Sequence, residues 1–321
     1  MKAARWIDVG QVVCEEAPLP SVADGEILVR TAYASICGSD LHTVFLGRPP
    51  RGGLAGYLGH EGAGEVVESR CAGFKPGDRV LTVPRAEAGR CLAEFQALPG
   101  SACVQLPSVA PLSHLLMAQQ LGTVVYALRH HPLDVIGKDA AVIGQGSAGA
   151  FFTFLLKRAG AARVLVSDKS SARLAYARTL GADLAVDAGV RDFRAAVLDA
   201  TAGQGAGVVV EAVGSRETFP LSLELAATGA TVVWFGLPEG ADDYPFSFQE
   251  FFRRRLTAHC VFGAQGEPGL ESFRYAVRLI SGGAIDVAPL LSHMLPIEEV
   301  GDAFRIARDR TDNALKVSIK F

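Results

Sequence analysis

The stretch SICGSDLH, Ser35 to His42, sets Cys37, Ser39, Asp40 and His42 within one short segment, and LGHEGAGEVVE brings His60 beside Glu61. Cysteine sulfur, imidazole and carboxylate are the donors a catalytic zinc uses, with one position kept for water or substrate. Cys37 and His60 are far enough apart in the chain to come from two different loops. Spacing alone also admits a plainer reading. A free cysteine is commonly a small buried hydrophobe, Ser39 or Asp40 ahead of a helical segment is a common cap, and His42 is then a solvated loop residue.

A second constellation lies in AAVIGQGSAGAFFTFLLKRAGAARVLVSD, where Gly144, Gly146 and Gly149 follow the G-x-G-x-x-G spacing. A strand pattern precedes these glycines, a helical pattern follows, and a further strand ends on Asp168. In that context the spacing reads as the phosphate-binding turn of a dinucleotide fold. Gly144 permits the tight turn, Gly146 lets the backbone approach a pyrophosphate, and Gly149 lets helix and strand pack closely. The N–H groups of the helix start, Ser147 and Ala148 among them, face the pyrophosphate at the positive end of the helix dipole. Asp168 accepts hydrogen bonds from both ribose hydroxyls and repels a 2′-phosphate, so NAD is expected over NADP, with Lys169 pulling the other way. The competing reading is a structural βα turn with some other ligand. Phe151, Phe152 and Phe154 need only a core explanation.

The elements that must position these residues follow from composition and periodicity. A chain of 321 residues is long for one core and comfortable as two domains. A net charge of -3 argues against a nucleic-acid binder. No apolar stretch has membrane-spanning length, and the N-terminus lacks a signal-peptide pattern, so a cytoplasmic protein is expected. Six cysteines in a chain of this length do not suggest a disulfide framework. Up to about residue 110 the chain shows short β-like runs (EILVRTAYA, GEVVES, DRVLTV, CVQLP) broken by Gly and Pro. Beyond it, helical segments mostly separate the strand candidates AAVIG, ARVLVSD, ADLAVD, GVVVEAVG, ATVVWFG and LTAHCVFG, the pattern of a doubly wound parallel sheet. The tail ends in a strand, LKVSIKF, whose available partner is the first domain, so that domain is built from both chain ends. The arginine run Arg253 to Arg255 reads as a solvated helix end.

The order of CGSDLH, GHEGAGEVVE, KPGDRV, the nucleotide turn and a returning strand closely resembles the zinc-dependent medium-chain dehydrogenase/reductase family over essentially the whole chain. That family includes alcohol, polyol, threonine and sugar dehydrogenases. The resemblance implies an α/β protein with a GroES-like β catalytic domain, residues 1–112 and 286–321, and a Rossmann NAD-binding domain, residues 113–285. It makes Cys37 and His60 ligands of one catalytic zinc per chain and Glu61 a neighbouring carboxylate able to bind it. Gln119 falls at the third ligand position, where the family more commonly has cysteine or glutamate. Ser39 and His42 fall on the proton relay from a zinc-bound alkoxide, Asp40 on the residue that orients His60, and Lys316 on a basic residue near the pyrophosphate. The four-cysteine lobe that holds a structural zinc in many members is missing, so none is expected, and Cys14, Cys71, Cys91, Cys103 and Cys260 are read as packing residues. FLGRPPRGGLAGY, Phe45 to Tyr57, falls on a wall of the substrate site. The implied activity is hydride transfer between a secondary alcohol (polyol, sugar or amino-alcohol) and NAD, in a dimer or tetramer. A zinc-free reductase of the same superfamily and a non-catalytic nucleotide-binding sensor or scaffold are the alternatives.

Overall fold

Lys2–Asp8 (β1) and Gln11–Glu16 (β2) form an antiparallel hairpin whose turn uses Gly10 at φ 73°. The computed structural model describes residues 1–47, 53–240 and 243–321. From the hairpin the chain enters the ten-residue strand Glu26–Ser35 (β3), which buries Ile27, Leu28 and Val29 together. Next come the helix Gly38–Phe45 (α1) and the strands Gly62–Ser69 (β4), Arg79–Thr82 (β5), Phe95–Pro99 (β6) and Cys103–Gln105 (β7). The helices Leu112–Leu115 (α2) and Ala118–His130 (α3) lead out of this region.

All six strand candidates of the nucleotide-type region form: Asp139–Ile143 (β8), Arg163–Asp168 (β9), Leu184–Asp187 (β10), Ala206–Glu211 (β11), Ala226–Trp234 (β12) and Thr257–Cys260 (β13). Helices Ser147–Arg158 (α4), Ser171–Thr179 (α5), Phe193–Ala200 (α6), Thr218–Leu225 (α7) and Phe248–Arg253 (α8) connect them. Every pairing is parallel, in the order β10-β9-β8-β11-β12-β13. The order reverses direction between β8 and β11, where a doubly wound sheet opens its ligand crevice at the carboxyl ends of the strands. Phe151 and Phe152 of α4 are fully buried, which is the core role expected of them, while Phe154 is half-buried. Of the arginine run, Arg254 does more than meet solvent. Its guanidinium donates to the carbonyls of Leu223, Glu224 and Ala226 and so satisfies the free end of α7.

The chain then adds Glu271–Ser281 (α9), Leu291–Pro296 (β14), Val300–Asp309 (α10) and Lys316–Lys320 (β15). β15 is the strand expected of LKVSIKF. It pairs parallel with β14 and antiparallel with β3, setting Ser318 opposite Ser35, and joins β3, β4, β5, β6 and β7 in a seven-stranded sheet. The chain divides into two compact units, Met1–Tyr126 with Gly263–Phe321, and Ala127–Phe262. These bounds differ from 112/113 and 285/286 because the start of α3 and all of α9 pack within the first unit. There a side chain at Gly122 would collide with Phe273, so α9 packs Phe273 directly against the backbone of α3. No helix among the described residues is long and apolar enough to cross a membrane.

Candidate metal centre and nucleotide turn

The register of β3 on β4 explains how two distant segments meet. Ala34 lies opposite Gly62, so the residues just past one strand and just before the other must adjoin, and Ser35 N–H donates to the Glu61 carbonyl at 3.1 Å. Cys37, at the start of α1, is thereby brought to His60 and Glu61, and one ligand atom from each lies within 4.8 Å of the other two. Asp40 fills both roles open to it. One oxygen accepts the Cys37 N–H at 2.8 Å, capping α1, and the other lies 3.3 Å from His60 Nδ1. This second contact holds the ring with Nε2 toward the ligand group. Burial is the largest influence on His60 and opposes its charge, but Asp40 and then Cys37 outweigh it and hold the imidazole well above its ordinary range. Ser39 and His42 stand three positions apart on α1, on one helical face, and both are half-buried.

Lys316, which the resemblance assigned to the pyrophosphate, is buried in the first unit with Nζ 2.6 Å from Glu61 Oε2 and 3.4 Å from Gln120 Oε1. The cause is the placement of β15 beside β3, which also lets Ile36 N–H donate to the Val317 carbonyl at 3.0 Å. Ser35 Oγ donates to the same Glu61 oxygen. Sequence reading missed Ser35, Gln120 and this use of Lys316, since nothing local marks a contact between opposite ends of a chain.

The residues fit a divalent cation. Glu61 Oε1 and Gln119 Nε2 are both buried, and among the described residues neither has a hydrogen-bond partner. Buried polar atoms are seldom left so. A cation would satisfy the free carboxylate oxygen, and the Gln119 amide, turned over, would present oxygen in place of nitrogen. Cys91 is fully buried, lies 3.4 Å from both Thr82 Oγ1 and Gln96 Oε1, and burial pushes its thiol up to about 12, so it stays a packing thiol. Cys103 is buried as well, and Cys14 and Cys71 are half-buried, but Cys260 is exposed on β13 and does not pack as expected. Of the Phe45 to Tyr57 segment, residues 48–52 lie outside the described residues.

In the second unit, Gly144 takes φ 86°, and a side chain on it would meet Val213 at 2.5 Å. A methyl group on Gly149 would stand 1.9 Å from the Gly144 carbonyl oxygen, whereas nothing lies within 4 Å of one on Gly146. Gly146 is the N-cap of α4 and offers the helix amides no side chain, and the space beside it is open. This cradle suits a pyrophosphate. Asp168 ends β9 with its carboxylate accepting from Gln145 N–H at 2.7 Å and Ser170 N–H at 2.9 Å. Arg173 stands 3.7 Å away, a buried guanidinium that the reading of Lys169 alone had overlooked. Glu211, fully buried at the end of β11, accepts from Val213 and Gly214 N–H at 2.8 and 2.9 Å, and burial pushes its carboxyl up. It thereby fixes the turn against which Gly144 packs. Gly149→Ala is expected to weaken binding of a dinucleotide at least about tenfold and to lower stability by about 1–3 kcal/mol, measured by calorimetric titration and thermal unfolding.

Two family models match this chain, a zinc-binding dehydrogenase domain over residues 149–282 and an alcohol dehydrogenase GroES-like domain over residues 23–116. L-Threonine 3-dehydrogenase of Bacillus velezensis is 27% identical over 322 aligned positions, covering 92% of this chain and 91% of the relative. An alcohol dehydrogenase of Cupriavidus necator is 25% identical over 365, covering 100% and 98%. Among solved structures, an alcohol dehydrogenase from Thermotoga maritima superposes with a TM-score of 0.85 at 26% identity, over 99% of this chain and 98% of that one. The chain belongs to the zinc-type medium-chain dehydrogenase/reductase family and is an oxidoreductase of its alcohol dehydrogenase type.

Proposed function

We propose that the protein interconverts a secondary alcohol of the polyol, sugar or amino-alcohol type and its ketone, with NAD and a single zinc ion per chain held by Cys37, His60 and Gln119, Glu61 standing by as an alternative ligand. The observation that carries this reading is the meeting of half-buried Cys37 with buried His60 and Glu61, together with a Glu61 carboxylate oxygen that has no hydrogen-bond partner among the described residues. When bound, zinc supplies the Lewis acidity that eases loss of the alcohol proton, and the nicotinamide supplies the hydride acceptor. Ser39 takes the proton from the substrate hydroxyl and His42 passes it outward. Asp40 keeps Nδ1–H of His60 engaged so that Nε2 stays a ligand. Oxidation of a panel of secondary alcohols with NAD, with zinc content measured on the same sample, tests the reading. Full activity without zinc would favour the zinc-free reductase, and failure of every alcohol would sink hydride transfer altogether.

The preference for NAD rests on Asp168, whose carboxylate repels a 2′-phosphate. Asp168→Asn keeps an acceptor for the backbone and leaves Arg173 and Lys169 uncompensated. The ratio of kcat/KM for NADP over NAD is expected to rise at least about tenfold. An unchanged ratio would show that Asp168 does not read the ribose. A homo-oligomer is supported by β13, an edge strand, together with Phe248 and Phe252, 66% and 70% exposed on α8. Phe248→Ser with Phe252→Ser is expected to shift the protein to a smaller species in light scattering; an unaltered mass would place the interface elsewhere.

A further inference from the structure

The short connection from β5 to β6, residues 83–94, stands in place of the metal-binding lobe that the sequence lacks. It walls a cavity of about 610 Å³ in the first unit, closed on the other side by residues 265–269. A volume of that size suits a small molecule. Four charged side chains line it: Arg85, Arg90, Glu26 and Glu267. The two acids are occupied. Glu267 accepts the Ser272 N–H and Oγ–H at 2.8 and 2.9 Å, tying down the first turn of α9, and Glu26 accepts the Ala23 N–H at 2.9 Å. The arginines are differently placed. Arg85 lies over Gly266, where an added methyl group would sit 3.4 Å from its Nη2, and its guanidinium has no hydrogen-bond or ion-pair partner among the described residues. Arg90 stacks on the Tyr57 ring, its Cζ 4.0 Å from the centroid, and its Nη2 donates to the Tyr57 hydroxyl, which together fix the plane of the guanidinium.

Arg90 sets one wall of this cavity next to the chain segment that leads into the metal centre. Cys91 N–H donates to the Gly59 carbonyl at 3.2 Å and Leu92 N–H to Leu58 at 3.0 Å, so Arg90 enters beside the segment that ends in His60. We propose that this cavity receives an anionic group, a carboxylate or a phosphate ester, carried by the alcohol substrate and held by Arg85 and Arg90. This rests on the hydride-transfer reading above and narrows its substrate class. A planar fork of N–H donors matches either anion in two-point contact, and one arginine already aligned by Tyr57 loses little freedom on binding.

The test uses the zinc-loaded protein saturated with NAD, so that the nucleotide turn is filled. Inorganic phosphate is titrated calorimetrically into the natural protein and into Arg85→Gln, Arg90→Gln and the double variant, each first shown to be folded by thermal unfolding. Binding should weaken about tenfold for each arginine removed, which is about 1.4 kcal/mol each. Matched substrates are then compared: 2-butanol with 3-hydroxybutyrate, and glycerol with glycerol 3-phosphate. The natural protein should favour an anionic member through KM, and the double variant should lose that preference. Equal phosphate affinity in all four proteins overturns the proposal, as does turnover of alcohols with no preference for charge. If no alcohol is oxidised, the hydride-transfer reading falls, and the substrate-borne anion falls with it.

Discussion

His60→Ala is expected to leave the protein folded, almost free of zinc, and at least about a thousandfold slower in oxidising any alcohol that the natural protein accepts. The imidazole is one of three donors whose ligand atoms lie within 4.8 Å, and the two that remain do not replace it. Glu61 has one oxygen committed to Lys316 and Ser35, and Cys37 alone is a weak anchor. In the metal-free form a loss of about 3–5 kcal/mol is expected, the cost of removing one partner of a buried ion pair, since Asp40 keeps the Cys37 N–H but loses the ring that faced its other oxygen. Asp40→Asn separates orientation from ligation. Its amide keeps an acceptor for the Cys37 N–H yet offers His60 Nδ1 a donor, which favours the wrong tautomer. A fall in zinc affinity of about 10–100-fold is expected there, with His60 still present. Elemental analysis after dialysis against a graded chelator reads both variants, and zinc retained in full by His60→Ala would place the metal elsewhere.

The metal-free and zinc-loaded forms should also respond differently to pH. His60 titrates in the metal-free form above its ordinary value of 6.5, because Asp40 and Cys37 outweigh burial. A group raised in this way stabilises the fold fully below its unfolded value and loses that contribution as pH climbs through its folded one. Thermal unfolding should therefore show the metal-free protein weakening from pH 6.5 upward, while zinc binding, which needs neutral imidazole, strengthens over the same range. Parallel curves for the two forms would contradict the assignment of His60.

What could be read from the sequence was what is local. The six strands of the second unit each announce themselves by a short apolar run, and the glycines of the nucleotide turn carry their reason in their own geometry, since Gly149 must touch the Gly144 carbonyl. Cys37 and His60 were marked by residue type, but their meeting depends on the β3–β4 register, which periodicity does not specify. Asp40 posed a choice between cap and histidine partner that the sequence could not settle, because a carboxylate has two oxygens and here uses one for each. Arg173 was missed for another reason: an arginine one turn into a helix ordinarily faces solvent, and only the ending of β9 at Asp168 draws it inward. The unit boundaries shifted because helical periodicity marks α3 and α9 as helices without saying which core each one joins.

Lys316→Met should destabilise the metal-free protein by about 3–5 kcal/mol, the cost of removing one partner of a buried ion pair. Both partners are almost fully buried, at 3% and 1% exposure, and without the ammonium Glu61 retains only the Ser35 hydroxyl for that oxygen. Burial opposes the charge on Lys316, but Glu61 and then Cys37 more than compensate and raise the amine above its ordinary 10.5. The contribution of the amine is thus complete below that value and lost only in strong base, so the effect at neutral pH should not vary with pH. Glu61→Gln combined with Lys316→Met should recover much of the loss, because the uncompensated charge is gone and the cavity is filled by a side chain of similar length. Zinc should rescue the single variant more than the natural protein. Once Lys316 no longer holds Glu61, the freed carboxylate becomes a stronger donor to the cation, and binding to the folded state raises stability with ligand concentration. Thermal unfolding of the four proteins of this cycle, with and without zinc, measures each term; if Lys316→Met unfolds like the natural protein, the pair contributes nothing, and if zinc rescues the double variant as fully as the single one, Glu61 is not a donor to the metal.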